Sequence, residues 1–360
     1  MLHDNDETPI MKEQPHTISF SHATVLVTGA AGFIGSHLVR RLLCDVPDLT
    51  VVGIDNLNDY YDVSLKHYRL QHISHPRFHF LQGDVADATF VQQVFADHQP
   101  RIVVHLAAQA GVRHSIHHPE EYISSNIVGF ANVLEACRHA TPQVQHLVFA
   151  SSSSVYGNDC PVPYSVDASA TAPTSIYAAT KRSNELMAYA YAHLYGIPCT
   201  GLRFFTVYGP AGRPDMAYYS FTHDLLAGRT LPVFNNGKCE RDFTYIDDIV
   251  EGIVRVMQRT PSSATADGKP PYAVHNIGKG TPVPLLEFIR ILHDELIAAG
   301  LLPPHHDLQS QLEFLPMQPG DMAATWADTT SLQQCTGYQP TTTLREGLHQ
   351  FVQWYKEYEK

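Results

Sequence analysis

The chain has 360 residues, of which 44% are hydrophobic, enough for one large two-lobed unit with a buried core. Its formal net charge of −12 argues against wrapping nucleic acid, because that task needs a basic surface. No apolar run approaches the roughly 20 residues that span a bilayer, so we expect neither a nucleic-acid partner nor a membrane partner.

The first 22 residues are polar and acidic and predict a flexible leader before the first strand. Residues 23–208 then alternate short apolar runs with segments of helical spacing. The predicted strands are 24–28, 49–54, 77–81, 101–106, 146–150 and 199–205. The predicted helices are 33–44, 88–97, 122–138 and 175–195. This alternation is typical of an α/β fold with a doubly wound parallel sheet of the Rossmann type.

The pattern loosens from residue 209 onward. Proline and glycine cluster at 209–214, 261–271 and 280–284. We expect residues 23–208 to form mainly the dinucleotide-binding domain and residues 209–360 mainly a smaller mixed α/β lobe. That lobe would close over the carboxyl edge of the sheet, with some crossing of the chain between lobes. Residues 351–358 predict a terminal amphipathic helix.

The cysteines and histidines predict no metal site. The six cysteines are widely spaced and form no Cys-x-x-Cys pair, which favours a reduced set in a cytoplasmic protein. His114, His117 and His118 lie close together, but the loop offers no other obvious ligand. We interpret them as solvated loop histidines.

A glycine-rich turn follows the first predicted strand and opens a helix. Gly29 permits the tight turn, Gly32 lets the backbone approach a pyrophosphate, and Gly35 lets the helix pack closely on the strand. The helix N-terminus then faces the phosphate charge. Asp55 follows Gly35 by twenty residues, at the end of the second strand, where an acid accepts hydrogen bonds from ribose hydroxyls and repels a 2′-phosphate. The pattern therefore predicts binding of NAD rather than NADP.

Two further segments lie at strand ends that should face this cofactor. Asp84 and Val85 follow the third strand, where the carboxylate could reach the adenine amino group or could instead cap a turn or helix. Residues 105–110 follow the fourth strand, and their small side chains leave room for the middle of a dinucleotide.

The candidate chemistry lies on the long predicted helix and the strand before it. Tyr177 and Lys181 are four residues apart, so they share one helix face. An ammonium near a phenol favours the phenolate and lowers the phenol pKa, which makes a base usable near neutral pH. The run 151–157 supplies hydroxyls that can share a proton with a sugar.

Together these features resemble the extended short-chain dehydrogenase/reductase superfamily. The resemblance rests on the glycine turn, Asp55, the run 151–157, the Tyr–Lys pair and the segment 203–210. Within it the chain is similar to nucleotide-sugar 4-epimerases, and most similar to the UDP-glucuronate 4-epimerases. The segments that carry this narrower match are 55–62, 109–113, 209–216, 241–248 and 318–321. Similarity extends from about residue 22 to the C-terminus.

The resemblance implies roles for individual residues. Tyr177 would act as the base toward the sugar 4-hydroxyl, Lys181 would hold the nicotinamide ribose, and Ser152 would assist Tyr177. The implied NAD-binding residues are Gly29, Gly32, Phe33, Ile34, Gly35, Asp55, Asn56, Asp84, Val85, Leu106, Ala107, Ala108, Gln109, Tyr177 and Lys181.

A second implied set surrounds the UDP-sugar. Thr206 and Arg213 would contact a glucuronate carboxylate, Arg241 would clamp the diphosphate, and Asp321 would lie near the uridine ribose. Arginine suits both anions because its fork can bind two oxygens at once. The implied substrate-binding residues are Arg113, Ser152, Ser153, Ser154, Thr206, Arg213, Arg241 and Asp321.

The implied reaction interconverts UDP-glucuronate and UDP-galacturonate by transient oxidation at C4 and re-reduction with tightly bound NAD. Ser152–Ser154 stand where related dehydratases carry an acid pair, which argues against dehydration. A UDP-galactose 4-epimerase, or another UDP-hexose epimerase, is the first alternative, and Arg213 is the residue that discriminates. A non-catalytic NAD-sensing regulator is the second, against which the Tyr–Lys pair argues. Family members pair the helices near 122–138 and 175–195 between subunits, which predicts a homodimer.

Overall fold

The computed structural model describes residues 16–262, 268–317 and 322–359. Within these ranges the chain forms fifteen β-strands and twelve α-helices. The strands are β1 (His16–Thr17), β2 (Thr24–Thr28), β3 (Thr50–Asp55), β4 (Phe78–Gln82), β5 (Ile102–His105), β6 (His146–Ser152), β7 (Cys199–Phe204), β8 (Thr206–Tyr208), β9 (Leu231–Val233), β10 (Glu240–Tyr245), β11 (Arg259–Thr260), β12 (Tyr272–Ile277), β13 (Pro282–Pro284), β14 (Leu312–Phe314) and β15 (Ala324–Thr325). The helices are α1 (Phe33–Asp45), α2 (Val63–Gln71), α3 (Ala88–His98), α4 (His114–His117), α5 (Pro119–Tyr122), α6 (Gly129–His139), α7 (Ile176–Tyr195), α8 (Ala217–Leu226), α9 (Ile246–Met257), α10 (Leu285–Ala298), α11 (Thr330–Thr336) and α12 (Leu344–Tyr358).

Seven strands form one parallel sheet in the order β12-β7-β6-β5-β2-β3-β4. All six strands predicted from the first half of the chain are present in it, with ends that shift by one or two residues. The seventh, β12, pairs with β7 in parallel over six residues. The predicted doubly wound parallel sheet is therefore confirmed, and the second half of the chain completes its edge.

Helices cover both faces of this sheet, so its strands are buried on both sides. In β2, Val25 and Val27 pack into one core while Leu26 packs into another, as the two-residue period of a strand requires. The first core contains side chains of α1, α9, α10 and α12. The second contains side chains of α3, α6 and α7.

The smaller lobe is built around β10. This strand pairs in parallel with β8 and β15 and antiparallel with β13. Its β8 partner follows β7 after a single residue, Phe205, so the chain passes directly from the large sheet into the smaller lobe. In the part of the chain that the structure describes, no helix is both long and apolar enough to cross a bilayer.

The predicted flexible leader was wrong for residues 16–22. β1 pairs antiparallel with β11, and the side chains of Ile18 and Phe20 are only 7% and 4% exposed. Two apolar residues with alternate spacing suffice to bury a short extended segment against the core. Residues 1–15 lie outside the described residues.

Candidate active site

A cavity of about 900 Å³ lies at the carboxyl ends of the parallel strands, where the smaller lobe closes over them. It is lined by all the predicted site residues that the structure describes. These are Gly29, Gly32, Phe33, Ile34, Gly35, Asp55, Asn56, Asp84, Val85, Leu106, Ala107, Ala108, Gln109, Arg113, Ser152, Ser153, Ser154, Tyr177, Lys181, Thr206, Arg213 and Arg241. Asp321 lies outside the described residues. The roles that the resemblance implies for these residues stay predictions.

The glycine turn is packed too tightly for side chains. Gly29 has φ +72°, and a Cβ there would lie 2.9 Å from the backbone nitrogen of Ala107. A Cβ on Gly35 would lie 2.1 Å from the carbonyl oxygen of Gly29. The start of α1 therefore stays open at the cavity wall, and its first turn carries no acidic side chain. Such a helix start suits a phosphate group.

Acidic groups lie at the ends of the next two strands. The Asp55 carboxylate accepts from the backbone N–H groups of Ala31 and Leu57, and Lys66 Nζ lies 3.8 Å from it. Asp84 accepts from the backbone of Ala86 at 2.8 Å and from the side chain of Asn56 at 3.0 Å. Asp84 thus caps a turn, and the turn faces the cavity.

The middle of the cavity contains a buried amide donor without a partner. Gln109 is 3% exposed, and its Nε2 makes no hydrogen bond to any described group. Asn126 fixes the Gln109 backbone from both sides, accepting from its N–H and donating to its carbonyl. Asn126 lies in a π-helical turn, Ile123–Val128, which interrupts the predicted helix 122–138. Such turns often occur at functional sites.

These features fit a bound dinucleotide. The glycine turn leaves backbone room at a helix N-terminus that suits a pyrophosphate, and the Asp55 carboxylate, an acceptor suited to ribose hydroxyls, lines the same cavity. Gln109 lines the same cavity, and its buried Nε2 has no hydrogen-bond partner among the described groups. The residues present therefore fit the cofactor that the sequence predicts.

One face of α7 meets the end of β6 through three successive contacts. Lys181 Nζ donates to the carbonyl oxygen of Ala150 at 3.0 Å. Four residues further on, Glu185 accepts from Ser151 Oγ at 2.6 Å. Four residues before Lys181, Tyr177 interacts with the hydroxyl of Ser152. The helical spacing thus aligns Tyr177 and Lys181 with the serine run.

The pKa of Tyr177 differs from the expectation. Burial raises the pKa of the phenol, while the hydrogen bond with Ser152 and the charge of Arg213 oppose the shift. Burial also lowers the pKa of Lys181 to about 8. Lys181 is not among the groups that shift the pKa of Tyr177, and its ammonium donates to the Ala150 carbonyl, so the expected lowering of the phenol pKa by Lys181 stays a prediction.

A cation, Arg213, also lines the cavity. Arg213 forms a two-point ion pair with Asp215, from Nε to Oδ1 at 2.9 Å and from Nη2 to Oδ2 at 2.5 Å. Tyr60 donates its hydroxyl to the same carboxylate at 3.2 Å. Burial acts against the charge on Asp215, but the Arg213 guanidinium outweighs it and holds the pKa of this carboxyl below its ordinary value.

Two more arginines line the cavity. The Arg113 guanidinium lies 5.3 Å from the ring centroid of Phe234. Arg241 Nη1 donates to the carbonyl oxygens of Glu240 and Ala323. Thr206 opens β8 on the same wall.

The loop histidines gain a neighbour that the sequence analysis missed. His114 and His118 stack with ring centroids 4.3 Å apart, and Glu121 lies 3.1 Å from His114 Nε2 and 3.6 Å from His118 Nδ1. Ligand atoms of the three residues lie within 4.8 Å of one another. His117 is not part of this group. The stacked, exposed arrangement sits at the cavity rim, and the absence of a metal stays a prediction.

Sequence reasoning also missed three side chains of the cavity wall: Tyr60, Lys66 and Asp215. Tyr60 and Asp215 lie within segments that carry the family resemblance, but no local pattern pairs residues that are 155 positions apart. Lys66 lies on α2, whose residues read as an ordinary polar helix.

Residues 25–278 match the model of the NAD dependent epimerase/dehydratase family. UDP-glucuronate 4-epimerase 3 of Arabidopsis thaliana is 44% identical over 342 residues, which cover 93% of this chain and 77% of the relative.

Two crystal structures resemble this one over nearly its whole length. UDP-glucuronic acid 4-epimerase from Bacillus cereus, in complex with UDP-glucuronic acid and NAD, matches with a TM-score of 0.81 and 34% identity, covering 93% of this chain and 99% of its own. UDP-glucose 4-epimerase from Thermotoga maritima, with UDP-glucose, matches with a TM-score of 0.79 and 27% identity, covering 94% and 100%.

The first prediction concerns the glycine turn. We expect Gly35→Ala to weaken NAD binding at least about tenfold and to lower the free energy of unfolding by about 1–3 kcal/mol, because the new methyl group meets rigid backbone. Gly252→Ala is the matched control, since its methyl group meets only the movable end of Ile277. Calorimetric titration and denaturant unfolding measure both effects. NAD affinity that is equal in the two variants would contradict the prediction.

The second prediction concerns the buried ammonium. In the unfolded chain Lys181 keeps its proton up to its ordinary pKa of 10.5, whereas in the folded, nucleotide-free protein it releases it from about pH 8. Between these values the unfolded state binds more protons, so this group makes stability rise with pH. We therefore expect the unfolding free energy of wild type, relative to Lys181→Met, to increase from pH 8 to 10.5. Denaturant titrations measure this difference in unfolding free energy between wild type and Lys181→Met. A difference that does not change with pH across this window would contradict the prediction.

Proposed function

The chain belongs to the NAD dependent epimerase/dehydratase family, and we propose that it interconverts UDP-glucuronate and UDP-galacturonate with bound NAD. The enzyme class is that of the UDP-sugar 4-epimerases, which the relatives and the solved structures share. The choice of a uronate depends on one observation. Arg213 lines the same cavity as Tyr177, and its charge opposes the rise in the Tyr177 pKa that burial causes, so a cation that can bind a carboxylate lies close to the proton acceptor.

Tyr177 is the group that takes the proton from the sugar 4-hydroxyl. Its hydrogen bond with Ser152 gives that proton a second acceptor. Lys181 holds its charge behind the phenol and is fixed in place by the Ala150 carbonyl. NAD supplies the acceptor, and then the donor, for the hydrogen on C4.

The sugar ring must rotate between oxidation and re-reduction at C4, so that its other face meets the cofactor. The enzyme therefore needs to bind UDP tightly and the hexose less tightly. Arg241 lies on β10 of the smaller lobe, and Arg113 approaches that lobe at Phe234; both line the cavity, where they can bind the diphosphate. Ser153, Ser154 and Thr206 present short hydroxyl side chains to the sugar. Such groups can exchange partners when the ring rotates.

The acids of the cavity do not suit elimination chemistry. Among the described lining residues the carboxylates are Asp55, Asp84 and Asp215. Asp55 and Asp84 lie at the strand ends beside the glycine turn, and Asp215 is paired with Arg213. No carboxylate of this set is free beside Tyr177 for proton transfer at C5 or C6, which supports epimerisation over dehydration.

Incubation with UDP-glucuronate and, separately, with UDP-glucose tests the proposal. We expect the uronate to give its 4-epimer and UDP-glucose to react with a kcat/KM about 100-fold lower or less, because the neutral sugar leaves Arg213 without an anionic ligand. Chromatography and NMR identify the products. Equal rates on the two sugars would favour the neutral-sugar 4-epimerase instead.

Removal of the phenol hydroxyl tests catalysis itself. We expect Tyr177→Phe to lower kcat by about 10²–10⁴-fold, the usual contribution of a general base. Tyr191→Phe is the matched control. It also removes a tyrosine hydroxyl from α7, but that hydroxyl donates to Glu135 outside the cavity. A Tyr177→Phe variant with full turnover would revive the alternative of a non-catalytic NAD sensor.

We also propose that the protein is a homodimer. Supporting this, α7 and the neighbouring π-helical turn expose an apolar patch formed by Ile123, Val128, Leu186, Tyr189 and Leu194. Leu186 is 57% exposed and Leu194 is 65% exposed. Exposed large apolar side chains on neighbouring elements are typical of an interface between subunits.

Light scattering checks the dimer. We expect twice the chain mass of 40.1 kDa for wild type and a monomer for Leu186→Glu, because a charge buried in the patch is costly. Leu286→Glu, an exposed leucine on α10 outside the patch, should remain dimeric. A wild-type monomer at micromolar concentration would refute the proposal.

For its location we propose the cytoplasm. All six cysteines are free thiols in the structure, which suits a reducing compartment.

A further inference from the structure

Arg213 uses only one edge of its guanidinium within the protein. A guanidinium has two edges that can each bind a carboxylate, one formed by Nε and Nη2 and the other by Nη1 and Nη2. Asp215 occupies the first edge at 2.9 and 2.5 Å. Within the described part of the chain, the two hydrogen bonds to Asp215 use Nε and Nη2 and not Nη1, while the Tyr60 hydroxyl also interacts with this guanidinium. The second edge is therefore the one left for a ligand in the cavity that Arg213 lines.

The backbone before Arg213 is held independently of this ion pair. Arg69 is buried and donates to the carbonyl oxygens of Ala211 at 2.9 Å and Gly212 at 3.1 Å. It also donates to the carbonyl oxygen of Ala31 in the cofactor turn at 3.1 Å. The main chain is thus anchored to the glycine turn, and the orientation of the Arg213 side chain depends on what its first edge binds.

The carboxylate that binds this edge is itself fixed from a third direction. Tyr60 donates its hydroxyl to Asp215 Oδ2 at 3.2 Å, and the Arg213 guanidinium lies 5.9 Å from the Tyr60 ring centroid. Tyr60 belongs to the loop that follows Asp55, on the cofactor side of the cavity. Asp215 therefore links the substrate arginine to the cofactor-side loop.

We propose that Asp215 is a positioning residue that determines specificity for a uronate, by holding one edge of Arg213 so that the other edge receives the sugar carboxylate in a fixed plane. This inference rests on the proposed function. Neither the sequence pattern nor the names of the relatives assign a role to Asp215.

The alternative role for Asp215 is that of a competitor. A resident carboxylate could block Arg213 and be displaced by the substrate. The two roles predict opposite changes in the affinity for the uronate when Asp215 is removed. If Asp215 competes, its removal leaves a more cationic site that binds the uronate more tightly, as charge alone requires. If Asp215 positions Arg213, its removal weakens uronate binding even though the site becomes more cationic.

Positioning also protects the intermediate. The 4-keto uronate formed by oxidation at C4 is a β-keto acid. If its C5–C6 bond turns perpendicular to the carbonyl plane, that bond breaks, carbon dioxide leaves, and the electron pair moves toward the C4 carbonyl as an enolate that takes a proton at C5. When the resulting 4-keto pentose leaves before the hydride is returned to C4, each carbon dioxide released leaves one NADH. A carboxylate held in plane by Arg213 avoids this geometry.

The test measures binding of UDP-glucuronate, UDP-glucose and UDP by calorimetry in a Tyr177→Phe background, where no turnover occurs. We expect Asp215→Asn to weaken UDP-glucuronate binding about tenfold, equivalent to ~1.4 kcal/mol, with UDP-glucose and UDP unchanged. With Tyr177 intact, we expect Asp215→Asn to release carbon dioxide and form an equal amount of NADH. Tighter or unchanged uronate binding would overturn the proposal, as would the absence of carbon dioxide.

Two control variants distinguish the positioning of Arg213 by Asp215 from a general effect of lost charge and from a failure to fold. Asp224→Asn breaks a similar exposed ion pair with Arg229 and should leave all three affinities unchanged. Tyr60→Phe keeps both charges and loosens Asp215, so it should shift uronate binding in the same direction by a smaller factor, which keeps the proposal testable if Asp215→Asn does not fold. A wild type without preference for UDP-glucuronate over UDP-glucose would refute the proposed function, whereas a preference that Asp215→Asn retains would refute this inference alone.

Discussion

The catalytic wall depends on a buried ion pair between α7 and the large sheet. Glu185 is 1% exposed and accepts from Arg203 on β7 at 2.8 and 2.9 Å, as well as from Ser151 at the end of β6. Burial opposes its charge, but the Arg203 hydrogen bonds outweigh this and lower the pKa of Glu185. A charge buried in this way is tolerated only when its partners stay in place. The helix that carries Tyr177 therefore has one register on the strand that carries Ser152.

The rest of the site follows from the convergence of parallel strand ends. Because all seven strands of the sheet run in one direction, the glycine turn, Asp55, Asp84 and the serine run emerge at one edge. The chain passes from β7 through β8 into the loop that carries Arg213, which lines the same cavity. Arg69 joins this loop to the glycine turn through the carbonyl groups of Ala211 and Ala31. Cofactor site and substrate site are thus parts of one hydrogen-bonded frame.

Much of this architecture could be predicted because its signals are local. The glycine turn, the six strands of the first half, and the Tyr177–Lys181 spacing each lie within about twenty residues. The seventh strand, β12, was missed because its partner β7 lies about seventy residues earlier and its pairing depends on tertiary structure. The Asp215–Tyr60 contact and the role of Glu185 were missed for the same reason. The raised pKa of Tyr177 was also missed, because burial causes it and the spacing of residues in the sequence does not show how far a side chain is desolvated.

The raised pKa of Tyr177 is compatible with the role of base that we propose for it. In a buried site with a low effective dielectric, each added charge shifts a pKa more than it would in water. Oxidised nicotinamide is a cation, and its charge favours the phenolate, whereas the reduced ring is neutral and does not. Tyr177 would thus have lower proton affinity before C4 is oxidised and higher affinity afterward. Even then a phenol is a far stronger acid than water, and Arg213 and Ser152 oppose the burial shift of its pKa. The protonated Tyr177 could therefore return its proton to the sugar oxygen, so the same group would act in both directions.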